Sequence, residues 1–213
     1  MRTVAVLPVK RFARAKQRLR GALDEGARER LAAAMAGDVL DVVCGCGTFE
    51  RVVVVTAEPA ISEQAAACGA HVVEDRDEAG QSAAAAVGVL AAREIGAQRV
   101  LLVPGDTPCV RAGDLEVVLA RDEPVVIVPD RHGTGTNALL LTPPGAIAPA
   151  YGPGSRRRHE TAAAAAGVDH AVLEVPALGL DVDTPDDLAA LRAGGTPGPR
   201  TAAALEAPAT APS

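Results

Sequence analysis

Residues 99–106 read RVLLVPGD. From Val100 to Val103 every side chain is apolar, so neither face of an extended chain is left for water. Pro104 and Gly105 then stop the run and hand it to Asp106. A strand lying on a solvated sheet alternates apolar with polar, whereas one covered on both faces reads as a continuous run. The same grammar recurs in TVAVLPV (3–9), RVVVVTA (51–57), HVVED (71–75), PVVIVPD (124–130) and NALLLT (137–142). Between these runs lie amphipathic or alanine-rich stretches, predicted as helices over about 24–43, 58–68, 80–95, 112–121, 154–166 and 184–193. Asp24 is placed to cap the first, with Glu25 favourable to its dipole. Strand–helix alternation predicts a three-layer, Rossmann-like α/β domain with a mostly parallel mixed sheet.

Length and composition narrow the class. The 213 residues suffice for one sizeable core, and the predicted division is a single domain over 1–193 followed by a disordered Pro/Ala-rich tail over 194–213. No apolar run approaches a membrane span, and the start has no signal-peptide pattern, so a cytoplasmic protein without membrane association is expected. The net charge of −6 argues against a nucleic-acid polymer as partner. Cys44, Cys46, Cys68 and Cys109 make no Cys-x-x-Cys pair and have no histidine cluster beside them; reduced, mostly buried thiols are expected. Alanine-rich helix faces could pack on the core or on a second copy, which leaves monomer and homodimer both open.

In open α/β sheets ligands bind beyond the carboxyl ends of the strands, and four such places carry polar residues. After the first strand, PVKRFARAKQRL and the arginine that follows it supply Lys10, Arg11, Arg14, Lys16, Arg18 and Arg20. This is either a solvated basic face or a phosphate cradle; it is not a Walker A loop. LLVPGDTP offers Asp106, a ligand-facing carboxylate or a turn aspartate. GLDVDTPDDL sets Asp181 and Asp183 two apart, hence on one face of an extended chain. Adjacent carboxylates repel unless a cation lies between them, and with Asp106 they would form an all-oxygen site suited to Mg²⁺. A helix cap at Asp183 or Thr184, with Pro185 in the first turn, explains only part of that segment. YGPGSRRRHE places Gly152 and Ser155 at a turn into a helix start, where an anion or a plain N-cap fits. Beside these four, VPDRHGTGTNALLL (128–141) presents Thr134, Thr136 and Asn137 between Gly133, Gly135 and a strand, either a hairpin turn or a close-fitting loop for a small anion.

Taken in order, PVKRFARAKQRL, VPGDTP, PDRHGTGTNALLL, YGPGSRRRH and LDVDTP resemble the guanylyltransferases of coenzyme F(420) biosynthesis, over about residues 3–193. The resemblance implies a GT-A-like nucleotidyltransferase fold, similar to that of the molybdenum-cofactor guanylyltransferases. It implies GTP and a small phosphorylated three-carbon acid as substrates, Mg²⁺ as cofactor, and a product passed to a downstream deazaflavin-coenzyme transferase. Metal ligands then fall on Asp106, Asp181 and Asp183; the acid falls on Thr136, Gly152 and Ser155. The nucleotide falls on Lys10, Lys16, Arg18, Ser82 and Gly105, with Lys16 and the three aspartates catalytic. Where the family shows Leu-Asn before the mid-chain helix this chain has Gln81-Ser82, which bears on base choice. The composition resembles an actinobacterial chain, whose relatives are expected to use phosphoenolpyruvate; 2-phospho-L-lactate and 3-phosphoglycerate are the alternatives. Two other readings are a different nucleotidyltransferase of this fold, for which an AGG-type loop is missing after the first strand, and a non-catalytic nucleotide-binding regulator. His159, one turn after Ser155, is expected to support that residue rather than transfer protons.

Overall fold

The computed structural model describes residues 1–207. Seven strands, β1 (Thr3–Val9), β2 (Arg51–Thr56), β3 (His71–Glu74), β4 (Arg99–Leu102), β5 (Val125–Pro129), β6 (Thr136–Leu141) and β7 (His170–Val172), form one sheet in the order β3-β2-β1-β4-β6-β5-β7. All neighbouring pairs are parallel except those of β6, which runs antiparallel to both β4 and β5.

The apolar runs do what their pattern predicts. Ala5, Leu7, Val52, Val54, Leu101, Val126 and Leu140 point to one face, with Leu40, Ile61, Leu115 and Leu178 packed on it. Val4, Val6, Val53, Val55, Leu102, Ile127 and Leu139, the alternate set, meet Ala85, Val89 and Ala163 on the other. The first face is covered by α1 (Glu25–Gly45), α2 (Pro59–Ala67), α4 (Ala112–Leu119) and the short α6 (Pro176–Gly179). The second is covered by α3 (Gln81–Glu94) and α5 (Ser155–Ala166). Burying both faces removes the apolar runs from water, at about 25 cal/mol per Å², and produces the three layers.

The close approach of α3 rests on Gly88. A methyl there would collide with Val6 Cγ1 and meet Val55 Cγ2 at 3.0 Å, both on fully buried strand residues. Gly88→Ala gains about 1 kcal/mol of helix propensity but overpacks a rigid interface at up to about 3 kcal/mol. Urea unfolding should therefore show a net loss of about 2 kcal/mol, and a stabilised variant would contradict this packing.

Three expectations need correction. Residues 194–213 are not wholly a disordered tail, because Pro199–Glu206 form a helix, α8, against α1. Its first turn is capped from outside: buried Asp38 of α1 accepts from Arg200 N at 3.0 Å and Thr201 N at 2.8 Å. A cap supplied by another helix leaves no local signature, and Gly198-Pro199 reads as linker. The folded unit thus passes beyond residue 193; residues 208–213 of the tail lie outside the described residues. Second, Cys44 and Cys68 are joined as a disulfide, with Cα atoms 6.3 Å apart, while Cys46 and Cys109 are free and buried. The pairing links the ends of α1 and α2, neighbours only after both pack on the sheet. Third, β7 and α6 add two short elements too brief for periodicity to announce. No helix among the described residues is long and apolar enough to cross a membrane.

Candidate active site

Asp106 follows β4 through Pro104 and Gly105, so its position is set by a strand buried on both faces. Asp181 and Asp183 flank Val182, which is fully buried and packs with Leu19, Met35 and Leu188. Alternation then turns both carboxylates to the opposite side, and Val182 N donates to Asp106 O at 3.2 Å, tying the two segments. Oxygens of Asp106, Asp181 and Asp183 all lie within 4.8 Å of one another. Thr184, not Asp183, caps the next helix, α7 (Pro185–Gly194), in a reciprocal capping box with Asp187. Asp187 also accepts from Asp183 N at 3.2 Å and from Arg131 Nε at 2.8 Å. The caps therefore hold the acidic pair in place without consuming either carboxylate.

Lys16 completes the cluster. It takes a left-handed conformation (φ 53°, ψ 34°) ahead of a short 3₁₀ turn over Gln17–Leu19, anchored by buried Leu19. This turns its buried side chain inward, with Nζ 2.6 Å from Asp106 Oδ2 and 2.8 Å from Asp183 Oδ1. Burial alone would push the ammonium pKa down, but Asp106 and Asp183 raise it above the ordinary lysine range. Burial likewise pushes Asp183 up, and Lys16, then Lys10 and Arg18, outweigh it and hold the carboxyl below its usual range. Asp181 has no such cation: burial, then the charge of Asp106, raises it to about 6 although Asn137 Nδ2 donates to it at 3.1 Å. The third carboxylate is the one still short of positive charge.

Beside this cluster opens a cavity of about 300 Å³, lined by Lys10, Lys16, Arg18, Gly105, Asp106 and Asp183 among others. All the residues expected to meet a nucleotide are there except Ser82. That hydroxyl accepts from Tyr151 N at 2.9 Å, joining α3 to the 151–154 turn. Gln81 and Asp75 line the same cavity. Asp75 was not singled out in the sequence, although it ends HVVED as Asp106 ends its own strand.

The expected acid-binding residues gather in a second group. The 128–141 stretch is indeed a hairpin, β5 to β6, with Gly133 at φ 73°, and it also presents Thr136. Thr136 N donates to Ser155 Oγ at 2.7 Å, and Ser155 N to Gly152 O at 3.0 Å. Asn137 Nδ2, also donating to Leu178 O at 2.8 Å, links this group to Asp181. None of Thr136, Gly152 and Ser155 lines the 300 Å³ cavity, so Asp181 stands between two chemically different surroundings.

His159 is fully buried and its tautomer follows from its neighbours. Nε2 accepts from Ala150 N at 2.8 Å, so the proton of the neutral ring sits on Nδ1, which donates to Thr136 Oγ1 at 2.9 Å. Thr136 then keeps its hydroxyl hydrogen for another acceptor. Burial, then the neighbouring Arg158, pushes the imidazole pKa down to about 4. A depressed histidine leaves the folded state unprotonated while the unfolded chain takes up a proton near 6.5. Its contribution is therefore complete above pH 6.5 and is lost as pH falls toward 4, on the order of 3 kcal/mol. Urea unfolding at pH 7 and 4.5 should show this loss in the parent and a shallower one in His159→Gln. Equal slopes would contradict the neutral tautomer.

The whole arrangement has relatives. Residues 3–198 match the family of CofC-like guanylyl transferases. A phosphoenolpyruvate guanylyltransferase of Conexibacter woesei is 50% identical over 196 residues, covering 90% of this chain and 88% of its own. One of Rubrobacter xylanophilus is 40% identical, covering 92% and 96%. Among solved structures, a nucleotidyl transferase from Methanothermobacter superposes with a TM-score of 0.65 at 18% identity, covering 90% of this chain and 96% of that one. Rv0371C of Mycobacterium tuberculosis, solved in complex with manganese, does so at 0.54 and 22%, covering 89% and 96%. The fold is thus that of the nucleotidyltransferases. With the match running through every motif from PVKRF to LDVDTP, the chain belongs to the CofC-like guanylyl transferase family.

Proposed function

We infer that this chain transfers GMP from GTP to phosphoenolpyruvate, releasing pyrophosphate and forming enolpyruvyl-diphospho-guanosine. The observation that carries the reading is the cluster of three carboxylates and a buried lysine at the edge of a nucleotide-sized cavity. Two relatives bearing the phosphoenolpyruvate guanylyltransferase name, at 50% and 40% identity, support the choice of acid.

The donor set of Asp106, Asp181 and Asp183, all oxygen and mutually within 4.8 Å, fits a hard divalent cation, and Mg²⁺ is the proposed one. When bound it would neutralise phosphate charge and make the α-phosphorus more electrophilic. Lys16, with Lys10 and Arg18 along the same cavity, holds the triphosphate; Gly105 lets the backbone pass close to it. Thr136, through the hydrogen that His159 leaves free, holds the acid together with Ser155 and Gly152. A phosphate oxygen of the acid forms the new bond to the α-phosphorus. The bond from that phosphorus to the bridging oxygen breaks, and pyrophosphate leaves with the electron pair. A phosphate monoester with a second pKa of about 6 is already ionised at neutral pH, so no general base is required. Catalysis is positioning and charge neutralisation. The activated product would pass to a downstream deazaflavin-coenzyme transferase.

Pyrophosphate release tests this. The protein would be given Mg²⁺ and GTP with phosphoenolpyruvate, 2-phospho-L-lactate or 3-phosphoglycerate, with ATP as the control nucleotide. Release is expected with GTP and phosphoenolpyruvate. Silence with all three acids, from protein that binds GTP, would favour a nucleotide-binding regulator instead.

A further inference from the structure

Asp75 and Gln81 are among the polar side chains of the cavity that take no part in the phosphate or metal chemistry. Asp75 follows β3 directly, held by its own N–H donating to Thr56 O at 3.1 Å, and Gln81 opens α3. Both are half-buried and both line the cavity that reaches Lys16 and Asp106. Two of the basic residues that share a small recess with Asp75 are already engaged. Arg11 Nε lies 3.1 Å and Arg14 Nη1 3.2 Å from the Glu78 carboxylate, and Lys10, Arg11, Arg14, Asp75 and Glu78 surround one small adjoining recess. No hydrogen bond among the described residues reaches the Asp75 carboxylate or the Gln81 amide. Glu78 pairs with both arginines, and Asp75 stands in the wall of the ligand space without a side-chain hydrogen bond among the described residues.

Strand order sets the distance. β3, β2, β1 and β4 are consecutive in the sheet, so the end of β3 stands three strand spacings from the end of β4, about 14 Å at roughly 4.8 Å each. That is the scale of a nucleotide laid across the strand ends, with phosphates at Lys16 and Asp106 and the base toward Asp75. A carboxylate is purely an acceptor. Guanine offers two donors side by side, N1–H and the 2-amino group, while adenine offers a lone pair at N1.

We propose that Asp75 is the residue that selects guanine, accepting from N1–H and the 2-amino group, with the Gln81 amide donating to O6. This rests on the nucleotide lying in the cavity as described above. It also moves base reading away from Ser82, whose hydroxyl serves the Tyr151 backbone. Adenine in the same place would set its N1 lone pair against a carboxylate and leave the acceptor unpaired, the arrangement that polar sites reject most strongly.

The test is direct binding, by calorimetry with Mg²⁺, of GTP, ATP and inosine triphosphate, which lacks only the 2-amino group of GTP. The parent protein should bind GTP roughly 10- to 100-fold more tightly than inosine triphosphate, the loss of one hydrogen bond to a charged group. Asp75→Ala should bring these two within about twofold while ATP binding is kept, which also reports an intact phosphate site. Asp75→Asn, nearly isosteric, presents a donor to adenine N1 while the Gln81 amide can turn its oxygen to the 6-amino group, and should shift preference toward ATP by tenfold or more. Equal binding of GTP and inosine triphosphate by the parent, or unchanged ratios in Asp75→Ala, would overturn the assignment. Because binding is read without the acid, these ratios stand or fall separately from transfer. Guanine selectivity lost with Asp75, but no pyrophosphate released with phosphoenolpyruvate, would retain this assignment and reject the proposed reaction.

Discussion

Asp181→Asn is expected to lower pyrophosphate release by roughly 10³-fold or more, about 4 kcal/mol of transition-state stabilisation, without unfolding the protein. Asparagine keeps the shape and still accepts from Asn137 Nδ2 through its carbonyl oxygen, so the link to β6 survives. It removes the one carboxylate of the three that has no ammonium beside it in the structure. Repulsion from Asp106 and Asp183 disappears, so the thermal midpoint without metal should equal or exceed that of the parent. Loss of turnover with undiminished stability separates a ligand-holding aspartate from a structural one. Near-parental turnover at saturating metal would refute the assignment, and a marked fall in melting temperature would make Asp181 a fold residue.

Lys16→Met should be the second severe variant, lowering turnover by roughly 10²- to 10³-fold. Methionine fills most of the aliphatic volume but takes the charge from between Asp106 and Asp183, 2.6 and 2.8 Å from Nζ. Three carboxylates then face one another with no cation among them. The variant should be less stable than the parent in metal-free buffer, by less than the cost of breaking a fully buried pair because Asp106 and Asp183 are partly exposed. Added Mg²⁺ or Mn²⁺ should raise its melting temperature more than the parent's, since the ion restores the charge the lysine had supplied. Identical metal-induced shifts in the two proteins would show that Lys16 and the cation do not share the carboxylates.

Much of this site could be read before any tertiary contact was known. Asp181 and Asp183 flank a buried Val182, and a two-residue period alone turns them to one side. Asp106 is delivered by a strand whose two apolar faces demand burial, so its place at the sheet's carboxyl edge follows. Asp24 does cap α1, accepting from Ala27 N at 2.7 Å, because that bond spans only three residues. Thr136, Gly152 and Ser155 do converge. The family resemblance singles out Lys16, but by its residues alone it is one of six cations in a basic run, and charge does not tell the buried one from its solvated neighbours. The left-handed turn at Lys16 and the anchoring of Leu19 make that distinction.

The six longer strands, helices α1 to α5 with α7, and the acidic pair were determined by the sequence, because period, capping and chain reversal are short-range and leave their mark within a few residues. The sheet order, the antiparallel β6, the Cys44–Cys68 link and the docking of α8 on Asp38 were settled only by packing. So were the tautomer of His159 and the freedom of Asp75 once Glu78 has taken both arginines. Each joins groups that are tens of residues apart, or depends on which partner a neighbour has already chosen. Such choices are made by competition in space, when two covered faces of one sheet bring those groups within hydrogen-bonding reach.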